Sequence, residues 1–307
     1  MSSTACAIGV DLGSSRTVIA VALRGGVEII TNEGSQRETP NVVGYGEQER
    51  YLGQSGQAKM KSNYKNTISY FNRFLGMNGD SEDLREERQH VYCKTRVDQN
   101  NRVCFNVRYQ GEEIALYPEQ VLASHFTKVR EILELNKITN KELVVNVPSY
   151  FSQEERKLTL MAGKVAGLNI VKLMSETSAT VLNYGIFRKK DLSDDPRLVA
   201  FVDVGHSNTS VFFAKVKKSG AEIVAEKCIR SLGGRNFDQV LYKKYNTVFD
   251  AENNMDVNEY PKSRMRLIDA IEKQRKILSA NSEAPINVEY LVEDIDFAQV
   301  MTRDEFE

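Results

Sequence analysis

Runs in which apolar and polar residues alternate are separated along this chain by stretches with helical spacing. Ile8 and Val10, then Thr17, Val18, Ile19 and Val21, lie on either side of Gly13-Ser14-Ser15. Their β-branched character predicts strand, tight turn and strand over residues 8–22. A third strand is expected at 26–31 and a short one at 41–43, with Asn32 to Ser35 as a loop between them. Helical spacing predicts a helix over 54–62 and another over 66–75, the latter from Ile68, Phe71 and Leu75. The charged stretch 84–89 reads as a solvated helix or loop. Residues 103–107 and 113–116 flank Gln110-Gly111 as a hairpin.

Pro118 stands at the first turn of a helix whose apolar face is Val121, Phe126, Val129 and Leu133. A buried strand is expected at 142–147, ending at Pro148. Ser152 and Glu155 have the spacing of a capping box, and the helix they open should run to Ala166 with Gly167 as its C-cap. A strand at 170–174 and a helix at 178–184 continue the alternation, which implies an α/β fold. Residues 188–197, RKKDLSDDPR, read as an exposed linker, and divide the chain into lobes at 1–188 and 189–307.

The second lobe opens on a repeat of the first hairpin. FVDVGHSNTSVFFA returns Asp11 as Asp203, Gly13 as Gly205, Ser15 as Ser207 and Thr17 as Thr209, always 192 residues on. Such a repeat implies two similar lobes, either as duplicated scaffolding or as two jaws around one ligand. A turn of small hydroxyl residues can aim N–H groups at phosphate oxygens. The carboxylate beside it, Asp11 or Asp203, can hold hydrated Mg²⁺ against them. Gly233-Gly234 is either an ordinary turn or the start of a helix that offers N–H groups to an anion. Asn236 or Asp238 is the expected cap of that helix, which should run to Phe249.

Over 262–280 a long charged helix places Glu272, Arg275, Lys276 and Ser279 on one face and Leu267, Ile271 and Leu278 on the neighbouring one. Read alone, it is an amphipathic surface helix. A strand at 286–292 follows, and Phe306-Glu307 falls at the start of another helix.

Composition narrows the function classes. A chain of 307 residues, 41% hydrophobic and 27% charged, can build two sizeable cores of the soluble globular kind. A net charge of −1 without a long basic run gives no argument for nucleic acid. Met1 to Ala7 lacks the basic start of a signal peptide, and no apolar run is long enough to span a bilayer. Cys6, Cys93, Cys104 and Cys228 form no CxxC pair, so reduced thiols in a cytoplasmic or nuclear compartment are expected. His90, His125 and His206 lack metal-ligand spacing, and His206 reads as a turn residue beside a ligand.

With both hairpins, the Gly-Gly turn and the polar-faced helix in hand, the chain resembles the nucleotide-binding domain of the seventy-kilodalton heat-shock chaperones. That is an actin-like and hexokinase-like fold of two lobes with duplicated mixed sheets flanked by helices. IGVDLGSS resembles the first phosphate motif, NVPSYFSQEERK the connecting segment with Pro148 as its switch proline, and FVDVGHSNTS the second phosphate motif. The resemblance implies ATP and Mg²⁺ as ligands. ATP would meet Asp11, Gly13, Ser14, Ser15, Arg16, Gly205, His206, Ser207, Gly233, Gly234 and Arg235, with Glu272, Arg275, Lys276 and Ser279 clamping adenosine. Asp11 and Asp203 would hold the metal through water, with Glu176 near its shell.

Departures from the family pattern point to one branch. Asn72 stands where the ATPases have a catalytic lysine, Ser210 where an aspartate is usual, and Arg235 where glutamate is usual. The Gly-His-Ser and Gly-Gly-Arg turns resemble the hundred-and-ten-kilodalton relatives. This implies a protein that binds ATP, turns it over weakly or not at all, and acts as a nucleotide-exchange factor for a seventy-kilodalton partner's nucleotide-binding domain. It also implies a holdase, acting on unfolded clients through C-terminal domains absent from this sequence, and no membrane or nucleic-acid partner. The alternatives are an ATP-hydrolysing chaperone, with Asp203 and Glu176 as its catalytic candidates, and a sugar or small-molecule kinase of the same fold. The family domain ordinarily continues through a further phosphate and ribose turn, so a C-terminally truncated domain is expected.

Overall fold

The computed structural model describes residues 7–23 and 26–307. Met1 to Cys6, on which the signal-peptide reading falls, lie outside the described residues. Ala7–Leu12 (β1) and Arg16–Leu23 (β2) form an antiparallel hairpin that buries Ile8, Val10, Leu12, Thr17, Ile19 and Val21. Its turn is closed by Gly13 N–H donating to the Arg16 carbonyl at 3.1 Å. A Cβ on residue 13 would lie 2.9 Å from that oxygen, so the turn requires glycine. Gly26–Ile29 (β3) and Glu38–Pro40 (β4) both pair with β2.

Val42–Tyr45 (β5), Arg50–Leu52 (β6) and, after the short helix Gln54–Lys59 (α1), Thr67–Ser69 (β7) make a small sheet in the order β6-β5-β7. The helix expected over 66–75 is therefore absent. Thr67 and Ile68 pair with β5, Tyr70 adopts the left-handed conformation at φ 54°, and only Phe71–Phe74 turns as a 3-10 segment. β-Branched residues beside a partner strand override the apolar spacing there.

Leu84–Arg88 (α2) precedes a meander of Lys94–Val97 (β8), Val103–Tyr109 (β9) and Glu112–Leu116 (β10). Pro118–Leu135 (α3), Glu142–Val147 (β11), Gln153–Val165 (α4) and Asn169–Ser175 (β12) follow. β11 lies parallel to β1 and β12 parallel to β11, completing a six-stranded mixed sheet ordered β12-β11-β1-β2-β3, with β4 also on β2. The Ser152 and Glu155 capping box forms at 3.3 and 2.7 Å, and Gly167 takes φ +76° at the other end.

Glu176–Phe187 (α5) covers one face of a three-stranded sheet of Arg197–Val204 (β13), Thr209–Lys217 (β14) and Gly220–Ile229 (β15). Val181 packs there against Phe212, Ala214 and Val216. By packing, the chain divides after Arg230, a division distinct from the lobe boundary read at 188/189.

In the second unit, residues 231–307, Gly234–Asn253 (α6) and Pro261–Ile277 (α7) pack on the hairpin Glu283–Val292 (β16) and Ile295–Thr302 (β17), followed by Arg303–Phe306 (α8). Leu241, Phe249, Leu267, Ile271, Ile286 and Phe297 share its core. No helix among the described residues is long and apolar enough to cross a membrane.

Candidate functional site

The two hairpins are copies at the level of hydrogen bonds. β1 and β2 pair Asp11 with Val18, and β13 and β14 pair Asp203 with Ser210. The Gly13-to-Arg16 turn bond returns as Gly205 N–H to the Asn208 carbonyl at 2.9 Å. The turns touch. Ser207 Oγ donates to Ser14 Oγ at 2.7 Å, and Ser14 Oγ lies 3.5 Å from His206 Nδ1. The His206 ring stacks on Tyr70, with centroids 5.2 Å apart.

Three carboxylates, Asp11, Asp203 and Glu176, lie close enough to act on one another. Asn146 orients Asp11 by donating Nδ2–H to Oδ1 at 2.7 Å, while its own Oδ1 accepts the Leu12 N–H at 2.7 Å. Desolvation raises the Asp11 pKa; Asn146 counteracts this, and repulsion from Asp203 adds to it. Glu176, at the start of α5, is pushed up to about 7 by burial first and then by Asp203 and Asp11. Its Oε2 has a long 3.5 Å contact from Asn208 Nδ2.

Among the described residues no three metal-ligating side chains converge closely enough to hold an ion unaided. The donor set still suits a hydrated hard cation. The groups are oxygen donors, and their mutual repulsion is negative charge that a divalent ion would relieve.

Behind the first turn, Gly13 C=O accepts from Asn72 Nδ2 at 2.8 Å and from Asn41 Nδ2 at 2.6 Å. Asn72 is buried, and its Oδ1 has no hydrogen-bond partner among the described residues. Ser15 is fixed through its carbonyl, which accepts the Asn41 N–H at 2.8 Å, whereas Arg16 points outward to Glu38.

A buried charge cluster adjoins the site. Arg73 binds Glu87 at 2.9 and 2.5 Å, the Arg230 carbonyl at 2.7 Å and the Tyr150 hydroxyl. Arg230 pairs with Glu155, the capping-box residue, at 3.1 Å. Its guanidinium lies 5.0 Å from the Tyr150 ring centroid, with that of Arg73 at 5.7 Å.

The N-cap of α6 is Gly233, not Asn236 as expected; Asn236, inside the first turn, reaches back and accepts the Gly233 N–H through Oδ1 at 2.9 Å. Asp238 is no cap. It is buried and holds Arg275 through contacts of 2.6 and 3.1 Å. Arg235 is also buried. Lys276 pairs with Glu272, and Ser279 lies past the end of α7.

Asn41, Thr17, His125, Asn146, Arg73 and Tyr150 were not singled out as site residues from sequence. The one local signal was the Asn41 position directly after Thr39-Pro40.

A family model described as Hsp70 protein matches residues 7–307. The chain is 39% identical over 304 residues to heat shock protein hsp88 of Neurospora crassa, covering 98% of this chain and 43% of that protein. It is 37% identical over 303 residues to heat shock protein 88 of Dictyostelium discoideum, covering 98% and 39%. It is 35% identical over 303 residues to a heat shock protein homolog of Saccharomyces cerevisiae, covering 97% and 44%. The chain thus spans less than half the length of these relatives.

Proposed function

The chain belongs to the Hsp70 family, in its hundred-and-ten-kilodalton branch, and from that premise we propose that it binds ATP with Mg²⁺ as a conformational ligand and turns it over weakly or not at all. The observation that carries this reading is Asn72, a buried neutral amide spent on the Gly13 carbonyl. A lysine at this point would set a positive charge against the negative charge that develops on a transferred phosphoryl group, and an asparagine cannot.

Ser14, Ser15 and the paired turn residues His206 and Ser207 would meet the phosphates. Asp11 and Asp203 would hold Mg²⁺ through water, with Glu176 behind them. The ion would supply charge neutralisation for the phosphate oxygens. The α6 start, at Gly233-Gly234, offers anion-binding N–H groups of its own.

Ligand binding without turnover stabilises one conformation. This suits a nucleotide-exchange factor that holds a seventy-kilodalton partner's nucleotide-binding domain open. Client holding would belong to regions that the longer relatives carry outside the matched segment. A cytoplasmic setting agrees with the free thiols of Cys93, Cys104 and Cys228.

The second reading, an ATP-hydrolysing chaperone, draws on Glu176, whose raised pKa suits a proton acceptor near neutrality. Accelerated release of ADP from a purified seventy-kilodalton chaperone on adding the ATP-loaded protein tests the exchange reading. An unchanged release rate sinks it.

A further inference from the structure

We propose that His125, Thr17 and Asn41 form a buried relay that sets the Gly13–Ser14 peptide plane, and so aims the Ser14 N–H at the anion. The inference rests on the nucleotide reading of the first turn. The three side chains come from α3, β2 and the residue between β4 and β5, and all are at most 1% exposed.

Proton accounting fixes every donor. The Gly13 carbonyl can only accept, so Asn41 turns its NH₂ toward it, at 2.6 Å. The Asn41 Oδ1 then faces the Thr17 hydroxyl at 2.7 Å and takes its single proton. Thr17 Oγ1, 2.9 Å from His125 Nε2, has only lone pairs left, so the ring must donate from Nε2. His125 is accordingly a neutral Nε2–H tautomer. Its Nδ1 has no partner among the described residues, and burial holds the ring's pKa down at about 3. The groups packed near it leave that state undisturbed: Lys128 disfavours protonation, and the Phe71 ring lies 5.5 Å away.

The consequence is geometric. In a trans peptide the C=O and the following N–H point in opposite directions, and the described residues contain no cis peptide. With the Gly13 oxygen held inward by Asn41 and Asn72, the Ser14 N–H is turned to the opposite side of the turn. Thr17 carries out this positioning only with its hydroxyl proton committed to Asn41, and His125 enforces that commitment. His125 is thus a positioning residue that acts through two others.

Two measurements on the intact chain test the relay. Ring ¹⁵N spectra of His125 should show a neutral Nε2–H tautomer that does not titrate between about pH 5 and 8. An Nδ1–H tautomer, or a titration near 6.5, overturns the relay whether or not the chain binds nucleotide. Calorimetry with Mg²⁺ and ATP should show Thr17→Val weakening affinity about tenfold, the scale of one buried hydrogen bond. Thr17→Ser should stay within about threefold, and His125→Gln, which keeps a donor, should outperform His125→Leu. The Ser14 amide resonance should move in Thr17→Val and stay in Thr17→Ser. A folded Thr17→Val protein with unchanged affinity and an unmoved Ser14 resonance refutes the proposal. Failure of the unaltered chain to bind ATP refutes the nucleotide reading instead, and leaves the spectra to decide the relay.

Discussion

Ser207 donates a 2.7 Å hydrogen bond to Ser14, joining residues at adjacent positions in the two copies of a duplicated turn. Ser207 is fully buried and Ser14 is partly exposed, so the bond ties a solvent-facing turn to one held by the interior. If the bond couples the hairpins, single replacements at either residue will not add. A double-mutant cycle of Ser14→Ala and Ser207→Ala, read by urea unfolding, should give a coupling of about 1 kcal/mol. Additive effects would mean that the contact contributes nothing.

Glu176 makes stability depend on pH in a defined direction. Its pKa is about 7 in the folded chain, against an ordinary 4.5. The folded state therefore binds more protons than the unfolded state between those values, and stability falls as pH rises through that window. Glu176→Gln should stabilise the protein at pH 8 and have a smaller effect at pH 5, as judged by urea midpoints. An equal effect at both pH values contradicts the assignment. Mg²⁺ and ATP should also release a proton near pH 7, visible as calorimetric heats that vary with the buffer, and Glu176→Gln should abolish it.

Arg73 and Glu87 are 2% and 0% exposed and paired at 2.5 Å. Removing either partner strands a buried charge, so Glu87→Gln or Arg73→Met should cost about 3–5 kcal/mol in chemical denaturation. The double replacement Arg73→Met with Glu87→Met should recover much of that loss. Arg73→Lys should not substitute, because the fork that reaches both Glu87 and the Arg230 carbonyl is lost.

Asn72→Lys adds the missing charge while keeping a donor for the Gly13 carbonyl. Single-turnover hydrolysis should rise roughly 100–1,000-fold, the range of one electrostatic contact to a transition state, with ATP affinity unchanged. No gain in rate would move the block to His206 or Ser210.

What could be read from sequence was local. Ser152 and Glu155 are three positions apart, and Gly167 terminates a helix by its own conformational freedom, so both appeared where expected. The duplicated hairpins were legible because the same short pattern occurs twice. Residues 66–75 misled because β7 is specified by β5, a partner distant in the chain, and by the left-handed Tyr70. The relay was invisible for the same reason. Thr17 and His125 are 108 positions apart, and only the packing of α3 behind β2 brings them to 2.9 Å. Asp238 looked like a cap by position, and its role as the partner of Arg275 depends on a second helix 37 residues on.

The most direct test of the account is a paired measurement on this chain: calorimetry of ATP with Mg²⁺, and single-turnover hydrolysis of the bound nucleotide. The expected result is saturable binding with little or no turnover over many minutes, in keeping with a neutral Asn72 at the Gly13 carbonyl. Clear hydrolysis on that timescale would contradict it and place the chain with the ATPase chaperones.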